Sequence, residues 1–153
     1  MPSSEEALRA LDAHYQSMPP VATMQLSIAG YDGRRLRLHA PLSRHLNDKG
    51  NAFGGSLTSL LTLASWGLVT LHVRAAGLQA EVYVADSEVR YLAPLYADLE
   101  AVAELAEDAS WDAFIATLRS RGRARATLLA HVPLPGGGTA TSCRSRYVAI
   151  LKS

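Results

Sequence analysis

Ten consecutive residues, Asn47-Asp48-Lys49-Gly50-Asn51-Ala52-Phe53-Gly54-Gly55-Ser56, lead from a polar stretch into an apolar one. From 53 to 73 the chain carries no Asp, Glu, Lys or Arg, so a long apolar helix is expected to begin at the glycine pair. The first amides of a helix lack intrahelical acceptors and carry the positive end of its dipole, so they attract an oxygen bearing negative charge. Gly54 and Gly55 remove side chains there and let a carbonyl reach the backbone, which is what an oxyanion hole for acyl transfer requires. Close packing of a helix on a sheet also calls for such a pair, and on spacing alone both uses stand. Ser56, Ser59 and Thr62 follow at intervals of three and share a face, with Ser65 nearby. Such small hydroxyls either admit a closely packed neighbour or border a substrate channel. None is read as a nucleophile, because no His–Asp pair is identifiable beside them. His45 is close in sequence and its imidazole can titrate near neutrality, but a single loop histidine is more often a surface residue.

A second group of reactive side chains lies in Val82-Tyr83-Val84-Ala85-Asp86-Ser87-Glu88-Val89-Arg90-Tyr91-Leu92-Ala93-Pro94. In an unbroken strand Tyr83, Ala85, Ser87, Val89 and Tyr91 share one face, mostly an inward set. Val82, Val84, Asp86, Glu88 and Arg90 share the other. Asp86 and Glu88 are then neighbours with Arg90 beside them. That is either a solvated charge ladder or, because two valines on the face imply partial burial, a place where a carboxylate takes a proton or positions water. Asp86 is the expected base, with Glu88 second; desolvation would raise its pKa and Arg90 would oppose the rise.

The elements that must position these groups follow from periodicity. A helix is expected over 3–18, where Ser3 and Glu6 have capping-box spacing and Leu8, Leu11 and Tyr15 recur at helical intervals; Pro19-Pro20 ends it. Strands are expected over 24–28 and 36–40, joined by a hairpin at Asp32-Gly33. A polar loop over 41–52 precedes the long helix, 54–76, which Gly77 stops. Strands over 80–92, 99–107, 123–132 and 139–151 follow, the last two joined by Pro135-Gly136-Gly137-Gly138, with a helical turn within 109–118 capped by Ser110. Strands with short connections imply an antiparallel sheet in an α+β domain, and one unit spanning 1–153 is expected, with no internal repeat or dividing linker. A single curved sheet wraps a helix this apolar only in part, so a partner subunit is the economical cover for the rest.

The composition is that of a globular chain, 48% apolar and 19% charged, with a net charge of +1 spread along 153 residues. No basic block of the kind nucleic acid selects is present. Cys143 is the only cysteine, so no internal disulfide forms. The start, Met-Pro-Ser-Ser-Glu-Glu, does not read as a signal peptide, and a cytoplasmic protein is expected. The uncharged 53–73 segment has the length of a membrane span. Its seven Ser, Thr and His residues and two leading glycines argue instead for the core helix of a soluble domain, with no membrane partner.

Together the two stretches resemble the hotdog-fold acyl-CoA thioesterases. Asn47, Gly50, Gly54, Gly55, Tyr91, Leu92 and Pro94 carry a pattern similar to that of the phenylacetate-pathway-like branch. Asn-Asp-Lys-Gly-x-x-Phe-Gly-Gly-Ser-Leu, Trp66-Gly67 and Ala-Asp-Ser-Glu-x-Arg-Tyr-Leu-Ala-Pro more closely resemble a bacterial thioesterase-like domain family, fused in some species behind an acetyltransferase domain. The resemblance covers residues 20–151. It implies an antiparallel sheet wrapped around a central helix, and a homodimer or dimer of dimers. It also implies hydrolysis of an acyl-CoA or acyl-carrier thioester without metal or other cofactor, coenzyme A entering only as part of the substrate. Asn47 matches the branch's active-site Asn, and Gly55 its backbone donor. Phe53 stands where the branch often has His, and Thr62 where its acidic base lies. Asn47, Asp86 and Gly55 are therefore the expected catalytic residues, and Phe53, Gly54, Ser56, Ser59, Thr62, Glu88 and Arg90 the expected substrate contacts. The alternatives are a non-catalytic acyl-CoA-binding module and a dehydratase or hydratase on the same fold. Phe53 argues against the latter, which needs a His–carboxylate pair.

Overall fold

The computed structural model describes residues 3–153. Helix α1 (Ser4–Ser17) opens the chain, with the Ser3 hydroxyl accepting from the Glu6 amide at 3.1 Å as the capping spacing predicts. A short α2 (Pro19–Ala22) follows, then β1 (Ser27–Tyr31) and β2 (Leu36–Ala40). The central α3 (Gly54–Ala75) leads to β3 (Ala80–Tyr91), β4 (Leu99–Leu105), α4 (Trp111–Arg121), β5 (Arg123–Pro133) and β6 (Thr139–Leu151). The six strands form one antiparallel sheet in the order β1-β2-β4-β5-β6-β3.

The sheet's concave face is lined by small buried residues, including Ala101, Ala103, Ala124, Ala126, Ala130 and Ala149, which leave room for a helix to approach. Helix α3 fills that space. It is long and apolar enough to cross a membrane, but two thirds of its most apolar stretch (67%) is buried inside the domain, so its apolarity serves the core. The closest approach is at Gly67, where a Cβ would overlap the Tyr15 hydroxyl and stand 2.9 Å from Leu36 Cδ2. Tyr15 from α1 donates to the Leu63 carbonyl at 2.6 Å and Tyr147 from β6 to the Thr62 carbonyl at 3.1 Å, clamping the helix midpoint from two sides. Burial pushes both phenols up, so they remain protonated donors.

Three segments differ from the sequence reading. The expected strand at 24–28 begins three residues later, because Pro19 starts a helical turn at the first position, where a missing N–H costs nothing. The expected turn near 109–118 is a full helix. Ser110 caps it, accepting from the Ala113 amide at 3.2 Å, and Gly122 closes it at φ +73°. The strand that bears Asp86 is not regular: Val84 pairs with Tyr147 but Asp86 with Arg146, so Ala85 is an extra, bulged residue.

Candidate active site

The loop before α3 is folded by its own asparagines. Asn47 Oδ1 accepts from the amides of Lys49 at 2.8 Å and Asn51 at 3.2 Å, and Asn47 Nδ2 donates to Asn51 Oδ1 at 2.6 Å. Asn51, itself buried, donates to the Tyr96 hydroxyl at 3.4 Å. The side chain of Asn47 is thus committed to the loop that delivers Phe53, whose amide donates to the His45 carbonyl at 2.7 Å. Phe53 is the N-cap and supplies no side-chain acceptor. The Ser56 and Leu57 amides both turn back to the Phe53 carbonyl, at 3.0 and 3.1 Å. Those of Gly54 and Gly55 have no acceptor among the described residues.

Neither glycine of the pair is there for the sheet. A Cβ on Gly55 would stand 2.6 Å from Phe53 Cε2, and one on Gly54 would lie at ordinary contact distance, 3.4 Å, from Tyr91. The close packing that a glycine pair also suggests is met at Gly67 instead. Tyr91, on β3, crosses the first turn of α3, hydrogen-bonded to the Thr58 hydroxyl and donating to the Gly54 carbonyl at 3.3 Å.

Beside this turn lies an open groove of about 500 Å³. Gly55, Ser56, Ser59 and Thr62 form one wall with Phe53, while Val21 and Met24 give apolar surface opposite. The hydroxyl face of α3 therefore borders a groove and admits no packed neighbour. Phe53 is 54% exposed, folded over the groove rather than into the core.

His45 lies behind the groove, only 6% exposed. Its Nε2 is 2.8 Å from the Met24 carbonyl and its Nδ1 2.8 Å from Ser56 Oγ. A carbonyl only accepts, so in the neutral ring Nε2 carries the proton; Nδ1 then keeps its lone pair, and the Ser56 hydroxyl donates to it. A hydroxyl, an imidazole base and a group that orients the base are the parts of an activated nucleophile. Sequence reasoning missed this pair because Met24, His45 and Ser56 come from three separate segments. The available signal was a histidine eleven residues before a serine in the first turn of an apolar helix.

The bulge at Ala85 moves the expected strand residues. Val84 pairs with inward-facing Tyr147, and Ser87 with buried Ser145, so Val82 and Val84 face inward on one side of the bulge and Ser87, Val89 and Tyr91 on the other. Tyr83, Asp86, Glu88 and Arg90 face outward. Asp86 thus shares no face with the valines, and the little desolvation it undergoes is outweighed by Arg146. Its carboxylate accepts from Arg146 Nε at 2.9 and 3.0 Å and pairs with the same guanidinium through Nη2. Arg146 beside it holds the Asp86 carboxyl below the usual carboxylate range, the opposite of what a base near neutrality needs. Glu88 and Arg90 are exposed on the same outer face, 3.5 Å apart, and border a different depression with Arg35, Glu104 and Arg144. The structure therefore gathers Phe53, Gly54, Gly55, Ser56, Ser59 and Thr62 around the start of α3, places Asn47 in the supporting loop, and leaves Asp86, Glu88 and Arg90 outside. The described residues contain no group of three or more His, Cys, Asp or Glu side chains that could hold a metal ion.

Solved structures with this fold are numerous. A protein of unknown function from Chlorobaculum tepidum is similar over 97% of this chain and 94% of its own, with 27% identity and a TM-score of 0.86. A thioesterase-like protein from Shewanella oneidensis covers 95% and is itself covered over 99%, with 24% identity and a TM-score of 0.85. The PaaI protein of the phenylacetic acid degradation operon of E. coli matches over 98% of this chain and 96% of its own, at 14% identity and a TM-score of 0.70. These likenesses, with one antiparallel sheet around one long helix, establish the hotdog fold. Residues 8–151 match the family described as "Putative thioesterase (yiiD_Cterm)", and the chain belongs to that family.

Proposed function

We propose that the protein hydrolyses an acyl thioester, carried on coenzyme A or on a carrier protein, in the groove at the start of α3. The observation that carries the reading is the Ser56–His45–Met24 chain of hydrogen bonds beside the unpaired Gly55 amide. In helices side chains tilt toward the N-terminus, so the Ser56 oxygen hangs on the side of the free amides. The thioester carbonyl accepts from Gly55 N–H, and Ser56 Oγ attacks the carbonyl carbon while its proton passes to His45 Nδ1. The tetrahedral intermediate expels the thiol, which takes that proton from His45. Water then attacks the acyl-serine with the same base and releases the carboxylic acid. His45 stays oriented throughout by the Met24 carbonyl, and Asn47 acts by holding the loop. Thr62, where the resemblance implies an acidic residue, cannot ionise and leaves the base to His45.

The same reading includes a homodimer. Strand β3 is twelve residues long and has one unpaired edge, with Tyr83, Val84, Tyr91 and Leu92 exposed along and beside it. An apolar edge of this length pairs readily with a second copy. Pairing edge to edge keeps each face of the sheet continuous, so Asp86 of either subunit stays on the outer face.

Release of free thiol from a panel of short-, medium- and aryl-acyl-CoAs tests the activity. Turnover on at least one member is expected. Saturable binding without turnover on every member would favour the acyl-CoA-binding module instead. Light scattering at micromolar concentration tests the assembly, with a dimer or larger expected and a folded monomer refuting it.

A further inference from the structure

One backbone carbonyl, that of Met24, orients the His45 ring, and the chain takes a rare conformation beside it. Among the described residues Gln25 is the only one other than glycine with a positive φ, +54°. It lies in the turn between α2 and β1, where its amide donates to the Ala22 carbonyl at 3.4 Å. Glycine usually closes a helix in this left-handed conformation, because a Cβ there crowds the neighbouring backbone. The Met24 carbonyl belongs to the peptide plane between residues 24 and 25, so it turns with the φ of Gln25. An ordinary helical φ of about −63° would rotate that plane by more than about 100° relative to the chain that follows. The carbonyl would then leave His45 Nε2.

The side chain of Gln25 holds the turn. In the amide orientation that satisfies both groups, Gln25 Oε1 accepts from Arg44 Nη2 at 3.0 Å and from Arg44 Nε at 3.3 Å. A guanidinium presents these two donors in a rigid fork, so together they fix the position of the oxygen. Residues 24 and 25 thus meet residues 45 and 44 in two adjacent contacts. The inner one, from the Met24 carbonyl to the ring, is buried; the outer one, between side chains, is exposed. The backbone of His45 is fixed separately: its amide donates to the Leu42 carbonyl at 2.8 Å and its carbonyl accepts from the Phe53 amide at 2.7 Å. What remains to be set is the direction of the Met24 carbonyl, and the conformation of Gln25 sets it.

We propose that Gln25 and Arg44 are positioning residues for the reaction. Their clasp holds the left-handed turn that aims the Met24 carbonyl at His45 Nε2, and so leaves Nδ1 to accept from Ser56. The proposal rests on the reading of His45 as the base, but its structural half is tested without turnover.

Both side chains are exposed, so they can be exchanged without opening the core. In Gln25→Val the clasp is lost and a branched Cβ opposes the positive φ. In Gln25→Gly the clasp is lost but the positive φ is freely adopted. Nitrogen-15 NMR of the imidazoles at neutral pH reads the tautomer, with the His45 signals identified as those lost in His45→Gln and folding checked by circular dichroism. Wild type and Gln25→Gly are expected to hold the proton on Nε2, and Gln25→Val to populate both tautomers. In thiol release, kcat is expected to fall at least about tenfold in Gln25→Val with KM nearly unchanged, and to stay within about threefold of wild type in Gln25→Gly. Arg44→Met should slow the wild-type protein by at least about threefold and leave Gln25→Gly unaffected, because glycine needs no clasp. Three results overturn the proposal: a single Nε2–H tautomer in Gln25→Val, an equal loss of kcat in Gln25→Gly and Gln25→Val, or the same effect of Arg44→Met in both backgrounds. If wild type releases no thiol from any acyl-CoA, the hydrolase reading fails, and the tautomers alone decide whether Gln25 places the ring.

Discussion

Replacing Ser56 by alanine removes one oxygen, and the structure gives the size of the two consequences. The hydroxyl makes a single hydrogen bond, to His45 Nδ1 at 2.8 Å, and its loss leaves a buried ring nitrogen unpaired, so the folded state loses about 1–3 kcal/mol and the domain remains folded. Catalysis loses far more. His45 is buried and acts on the first step through this oxygen, so the variant is deprived of the nucleophile that the base activates. Positioned general acid–base catalysis alone contributes about a hundredfold to ten-thousandfold, or roughly 3–5 kcal/mol at about 1.4 kcal/mol per tenfold. Thiol release by Ser56→Ala is therefore expected to fall at least about a hundredfold in kcat, with a smaller change in KM. Residues that act as a unit are not additive, so His45→Ala with Ser56→Ala should be no slower than the slower single variant. Intact-mass measurement after rapid quenching should find wild type carrying one acyl group, on Ser56. Turnover by a folded Ser56→Ala protein within about tenfold of wild type would refute the argument. Hydrolysis lost in the variant, yet with no acyl-serine trapped in wild type, would leave Ser56 as a relay to an attacking water and refute the covalent step.

Asp86→Asn should keep thioester turnover within about threefold of wild type, since the carboxylate lies on the outer face with Arg146; a hundredfold loss would reinstate the strand carboxylate as base. Gly67→Ala forces a methyl into the Tyr15 hydroxyl and Leu36, an overpacking that costs about 1–3 kcal/mol. At about 2–4 °C per kcal/mol for a chain of this size, thermal melting should show a clear drop in Tm. Burial lowers His72 below its ordinary 6.5, and burial with Arg74 and Lys152 lowers His14 likewise. The unfolded chain then binds more protons in the window just below 6.5, so the stability these rings contribute is present above 6.5 and is lost as pH falls through their lowered values. Urea melts at pH 7.5 and 5.5 should show this, with a smaller difference in His72→Gln; an equal difference would exclude His72, which stacks on Trp111 at 3.9 Å.

The sequence by itself determined the elements and most of their order. The capped first helix, the Asp32-Gly33 hairpin and the long apolar helix from Gly54 were legible because each is fixed by local spacing: a hydroxyl three residues before a glutamate, a residue pair that accepts positive φ, an uncharged run. Gly33 does take φ +88°, with Asp32 Oδ1 accepting from the Arg34 and Arg35 amides at 2.9 and 2.6 Å. The unpaired amides at the start of α3 were legible for the same reason, since they follow from a helix start and open access from glycine. What only the tertiary structure decided are relations between distant segments. Ala85 bulges because β6 pairs around it, and one inserted residue parts the valines from Asp86, turning Val84 inward while Asp86 stays on the outer face. Asn47 looks like a ligand-binding amide until the loop closes on it. His45 gains a partner at each ring nitrogen only when Met24 and Ser56 arrive on either side of its ring, one from before the hairpin and one from the central helix. A periodicity assigns a residue to a face, but its chemistry depends on which atoms come within about 3 Å, and those are set by chain segments that local patterns do not connect.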